Sequence, residues 1–87
     1  IGVGTRSLFY NSTASYNVAV GDSALIDNTS GSSNTGIGSF TNVSAGNLTN
    51  ATAIGARAFV AQNNSMVLGS INGVNGATAE TRVAIGT

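Results

Sequence analysis

Six glycines, Gly4, Gly21, Gly38, Gly55, Gly69 and Gly86, are separated by 17, 17, 17, 14 and 17 residues. Each closes a short apolar motif: "IGVG", "VAVG", "TGIG", "TAIG", "MVLG" and "VAIG". Self-similarity at a fixed short period decides fold class before any other feature, because each unit is then one supersecondary element that must stack to bury its core. Two helices and a turn do not fit into 14 to 17 residues, and nothing recurs at the 3.6-residue helical period.

Within the motif the pattern is large, small, large, glycine. Val3, Val20, Ile37, Ile54, Leu68 and Ile85 stand immediately before the glycine, and Ile1, Val18, Thr35, Thr52, Met66 and Val83 three before it. Between them lie Gly2, Ala19, Gly36, Ala53, Val67 and Ala84. Period-2 alternation with β-branched residues predicts a short strand, and the glycine permits a tight corner after it. Taking the large residues as the inward set, the predicted coil core is Val3, Val18, Val20, Ile37, Ile54, Met66, Leu68, Val83 and Ile85.

A second apolar spot follows four and five residues after the glycine, at Leu8-Phe9, Leu25-Ile26, Asn42-Val43 and Phe59-Val60, weakening to Gly73-Val74. Adjacent residues of a strand point to opposite faces, so this strand is expected to be apolar on both. The intervening segments "NSTASYN", "NTSGSSN" and "AGNLTNA" are turn chemistry. Asparagines recur there, Asn11 and Asn28 seven after the glycine and Asn17 and Asn34 four before it, as expected for amide ladders and left-handed corners.

The expected architecture is an all-β, left-handed parallel β-roll, a solenoid of 14–17-residue coils forming one repeat domain over residues 1–87. With no initiator Met, the chain reads as a piece of a longer repetitive protein. A coil this small has room for two or three side chains per layer, so one member of each apolar pair is expected outside. Leu8, Phe9, Leu25, Ile26, Val43, Phe59 and Val60 then form a stripe that a soluble monomer rarely exposes, and a homotrimer is the expected solution.

Composition excludes several functions. Only 7% of residues are charged, the formal net charge is zero, and His, Cys and Lys are absent. No basic patch is present for nucleic acid, no nucleophile–base pair for covalent catalysis, and no thiolate for a metal site. Asp22 and Asp27 read as solvated turn residues rather than a catalytic carboxylate pair. The aspartates that calcium-binding β-roll repeats carry in every copy are missing. No enzyme activity, cofactor or metal is expected. Asn11, Asn28, Asn42, Asn47, Asn50 and Asn63 begin N-x-S/T triplets, which an Asn/Ser/Thr-rich chain produces almost automatically.

The unit "TAIGARAFVAQNNSMVLG", with its 14-residue step, resembles the head repeats of trimeric autotransporter adhesins of the YadA type. That family's signature is a small residue, an aliphatic, Ala, an aliphatic and Gly. Longer copies such as "GDSALIDNTSGSSNTGIG" resemble repeats of large bacterial surface proteins and tail-fibre-like proteins. The resemblance implies a left-handed parallel β-roll, three chains side by side, displayed outside the cell on an outer-membrane-anchored stalk. It implies an adhesive or spacing role, with extracellular protein or glycan as ligand and no direct membrane contact. A phage or contractile-injection tail fibre is the alternative, and an ice-binding solenoid is disfavoured by the lack of a Thr-x-Thr ladder. The departure is the 17-residue step in four of five intervals, which is expected to widen a turn. "GSINGVNGATAETR" is expected to cap or interrupt the roll.

Overall fold

The computed structural model describes residues 1–86. Among them there is no helix, and seven short strands follow in order: β1 (Gly2–Val3), β2 (Val18–Val20), β3 (Thr35–Ile37), β4 (Asn42–Val43), β5 (Ala51–Ile54), β6 (Phe59–Val60) and β7 (Ser65–Leu68). They form a five-stranded parallel sheet, β1-β2-β3-β5-β7, and a two-stranded parallel sheet, β4-β6. The chain is a parallel β-solenoid.

Its register is the glycine spacing made physical. Val3 pairs with Val20, Val20 with Ile37, Ile37 with Ile54 and Ile54 with Leu68, so each of the first three 17-residue steps, and the 14-residue step, advances the chain by one rung. At each rung the glycine N–H donates to the carbonyl of the residue before the previous glycine: Gly21 to Val3 at 2.8 Å, Gly38 to Val20 at 2.7 Å, Gly55 to Ile37 at 2.8 Å and Gly69 to Ile54 at 2.7 Å. Gly21 shows why no other residue serves. Its φ is +133°, and a Cβ there would stand 2.6 Å from the carbonyl carbon and oxygen of Gly38. Backbone conformation and inter-rung approach each demand glycine.

The strand alternation is present with its phase reversed. The small residues point inward: Ala19 and Ala53 are fully buried, Gly36 is buried and Val67 is half-buried. The predicted coil core faces out instead. Val3, Val20, Ile37, Met66 and Leu68 are exposed, and Val18 and Ile54 are half-buried. The reason is width. The interior between the sheet and the opposite wall already holds Leu25, Val43, Leu48 and Val60, and against these Ala or Gly fits in β2, β3 and β5, while the last strand, β7, admits the half-buried Val67.

The second apolar spot therefore supplies the large core side chains. Leu25, Val43 and Val60 are buried, which removes them from the predicted oligomer stripe. Of that stripe Phe9 is exposed, and Leu8, Ile26 and Phe59 are half-buried. The wall changes conformation along the roll. Leu8 and Leu25 sit in left-handed backbone, φ +53° and +52°, within turns, and the fourth residue after the glycine goes in. In the next two coils the wall is extended as β4 and β6, paired Asn42 to Phe59 and Val43 to Val60, and the fifth residue goes in. Left-handed backbone costs a leucine about 1–2 kcal/mol, which burial of its side chain, worth about 1.5–3 kcal/mol, offsets.

The last copy of the motif departs from the series. Val83, Ala84, Ile85 and Gly86 form no strand, and Val83 and Ile85 are exposed rather than core. Residues 70–77 instead fold back on the flank of the roll. The Asn75 side chain donates to the carbonyls of Phe40 (2.6 Å) and Arg57 (3.2 Å), and Arg57 Nη1 donates to Asn75 O at 3.3 Å. The Arg57 guanidinium lies 4.6 Å from the centroid of the Phe40 ring.

Candidate functional site: an aliphatic ladder backed by an asparagine spine

Reversed phase places the large strand residues on the outer face of the five-stranded sheet. Parallel register stacks identical positions, so Val3, Val20, Ile37, Ile54 and Leu68 form one continuous row. Val18, Thr35, Thr52 and Met66 form a second row beside it. Neighbouring rungs are about 4.8 Å apart, so side chains within each row touch. Neither row contains a charged residue. Ile54 is half-buried, and the others run from 37% exposed at Val20 and 42% at Ile37 to 45% at Leu68 and 55% at Val3. The result is an ordered aliphatic surface on a sheet rather than a loop, of the kind that soluble monomers rarely expose.

Behind the sheet, at the corner where the chain enters each strand, asparagines carry the backbone hydrogen bonds that a tight coil leaves open. Asn17 Oδ1 accepts from the Asn34 N–H and Asn34 Oδ1 from the Ala51 N–H, both at 2.8 Å. Asn17 Nδ2 donates to Gly31 O at 2.8 Å and Asn34 Nδ2 to Leu48 O at 2.7 Å. Asn28 completes the layer, accepting from Asn34 Nδ2 at 2.8 Å and donating to Gly31 O at 2.9 Å and Asn11 Oδ1 at 3.3 Å. Asn17, Asn28 and Asn34 are all buried, so this amide spine is internal scaffolding. It leaves Asn28 and Asn42 closed to modification, whereas Asn47, Asn50 and Asn63 are exposed.

The few ionisable groups are dispersed. Asp27 is exposed and its Oδ2 accepts from Asn42 Nδ2 at 2.7 Å, tying it to the wall of the roll. Among the described residues there is no pocket, and no group of three or more His, Cys, Asp or Glu that could hold a metal ion. Nor, among the described residues, is any helix long and apolar enough to cross a membrane. The surface at the corners is polar and neutral, built of Ser, Thr and Asn, except where Phe9, Tyr10 and Tyr16 stand out from the first coil.

The large strand residues Val3, Val20, Ile37, Met66 and Leu68, expected in the interior, are exposed instead. The predicted stripe is divided between the core and the flank. The signal for this arrangement is the smallness of the middle strand position, Gly2, Ala19, Gly36, Ala53 and Ala84, with Val67 the exception. Comparison with protein-family models, with curated proteins and with solved structures finds no match to this chain.

Proposed function

We propose that this chain is a non-enzymatic structural and adhesive module of a homotrimeric extracellular fibre. The single observation that carries this reading is the exposed row Val3–Val20–Ile37–Ile54–Leu68. A row that runs parallel to the long axis of a solenoid buries itself most simply against the same row of identical chains, and a closed cyclic arrangement satisfies every copy equally. Contact area then grows by a fixed amount with each coil, which suits a rod of variable length.

The remaining surface supports the adhesive half of the reading. Polar corners rich in Ser, Thr and Asn repeat with each rung, and assembly would triplicate them around the rod. Weak contacts with an extracellular protein or glycan then add through avidity, without any pocket. The same geometry serves a module that only spaces a binding tip from its anchor. The likeness of the "TAIG…MVLG" unit to trimeric adhesin heads points the same way.

Static light scattering across a dilution series tests the proposal. The expected result is a mass three times that of the chain, persisting at low concentration. Ile37→Asp, which places a carboxylate at the middle of the row without entering the core, is expected to give folded monomer. A parent chain that is folded and monomeric throughout the series overturns the reading.

A further inference from the structure

The free edge of β7 and the unpaired motif at Val83–Gly86 belong together. In each rung from Gly4 to Gly55, the space where a glycine Cβ would stand is filled by the glycine of the next rung, at 2.6 Å for Gly4 and Gly21, 2.8 Å for Gly38 and 3.1 Å for Gly55. At Gly69 the occupant is the Thr81 side chain, whose Cβ stands nearest that point. Thr81 stands there through a clasp on Ser70: the Ser70 N–H donates to Thr81 Oγ1 at 2.9 Å, and the Thr81 N–H to Ser70 O at 3.0 Å. The clasp falls five residues short of Gly86, the residue that the 17-residue step would bring to Gly69.

The displaced segment is built as a rung. "VAIG" shares Ala, Ile and Gly with the "TAIG" of β5, and its middle residue, Ala84, has the small size that the interior requires. β7 ends the sheet, and no backbone hydrogen bond joins Met66 or Leu68 to residues 70–86. An unpaired parallel edge is a template for one more strand.

We propose that the β7 edge is a strand-docking surface whose occupant is this chain's own Val83–Gly86 segment, seated as a sixth rung in exchange with the Ser70–Thr81 clasp. The two arrangements are mutually exclusive, because both use the space at Gly69. Seating would let the Gly86 N–H donate to Leu68 O, as Gly69 donates to Ile54, and would extend the outer row by Ile85. The clasp is then a removable cap that holds the end of the roll closed when the sixth rung is not in place.

The chain has no cysteine, so introduced pairs report pairing without competition. M66C/V83C joins residues that are opposite each other only in the sixth rung, and S70C/T81C joins the clasp. All four positions lie outside the core. Under mild oxidation at high dilution, both double variants are expected to form intramolecular disulfides. In the unmutated chain, Thr81→Ala, which removes the clasp hydroxyl, is expected to slow exchange of the Gly86 amide at least tenfold. An M66C/V83C chain that stays reduced, or that links only between molecules, overturns the proposal. Unchanged Gly86 exchange in Thr81→Ala overturns it as well.

Discussion

Leu25 occupies the space that a side chain on Gly36 would need: a Cβ built on Gly36 would stand 2.6 Å from Leu25 Cγ. Leu25 is fully buried, and the glycine opposite it makes that burial possible. The pair sets the interior width of the roll. Gly36→Ala is expected to destabilise the chain by about 1–3 kcal/mol, the usual range for an overfilled core. Leu25→Ala costs about 2–5 kcal/mol on its own. Combined with Gly36→Ala it should cost less than the sum, and denaturant unfolding of the four species measures that coupling.

Asn34 holds two coils together through groups that have no other partner. Asn34→Ala leaves the Ala51 N–H and the Leu48 carbonyl buried without it. Each orphaned group costs about 1–3 kcal/mol. Asn47 is exposed, and Asn47→Ala is expected to fall within about 0.5 kcal/mol of the parent. Thermal unfolding of the two variants, side by side, separates an internal amide spine from a merely Asn-rich surface.

Gly21 is confined by its backbone as well as by its neighbour. Gly21→Ala meets a φ of +133° and the Gly38 carbonyl together. Strained backbone alone costs about 1–3 kcal/mol, and the contact adds to it. The expected outcome is a chain whose circular dichroism is disordered at room temperature, while Gly73→Ala, which meets the backbone strain alone (φ +86°) with nothing within 4 Å of its Cβ, is expected to lose less stability and keep the parent spectrum.

Arg57 and Asn75 tie the 70–77 segment to the flank. Arg57→Ala removes the stacking on Phe40, worth about 0.5–2 kcal/mol, together with the bond to Asn75 O. Amide exchange in residues 71–77 is expected to quicken, with that of β2 and β3 unchanged. Uniform acceleration along the chain would instead make Arg57 a determinant of the whole roll.

Rung register was legible in the chain because close approach of successive backbones admits only glycine, and glycine is visible as a letter. The facing of the strands was not. Hydrophobicity ranks Val20 and Ile37 as interior, but interior width decides, and width depends on Leu25 and Val60, which lie on another wall. Conformation at the corners was equally hidden. Tyr16, Ser33, Asn50 and Asn64, each five residues before a motif glycine, share left-handed backbone at φ +54° to +61°. Only the two asparagines advertise it. The clasp at Thr81 has no local signature at all, since it replaces a rung that the spacing predicts.

The central claim is that small residues line the interior and large aliphatics stand outside it, and one comparison tests it most directly. Ala53→Val and Ile54→Thr alter adjacent residues of β5, one predicted inward and the other outward. Measured by denaturant unfolding of the otherwise unmutated chain at one chain concentration, Ala53→Val is expected to lose about 1–3 kcal/mol and Ile54→Thr less than about 1 kcal/mol. The reverse order, with Ala53→Val tolerated and Ile54→Thr strongly destabilising, would contradict the account.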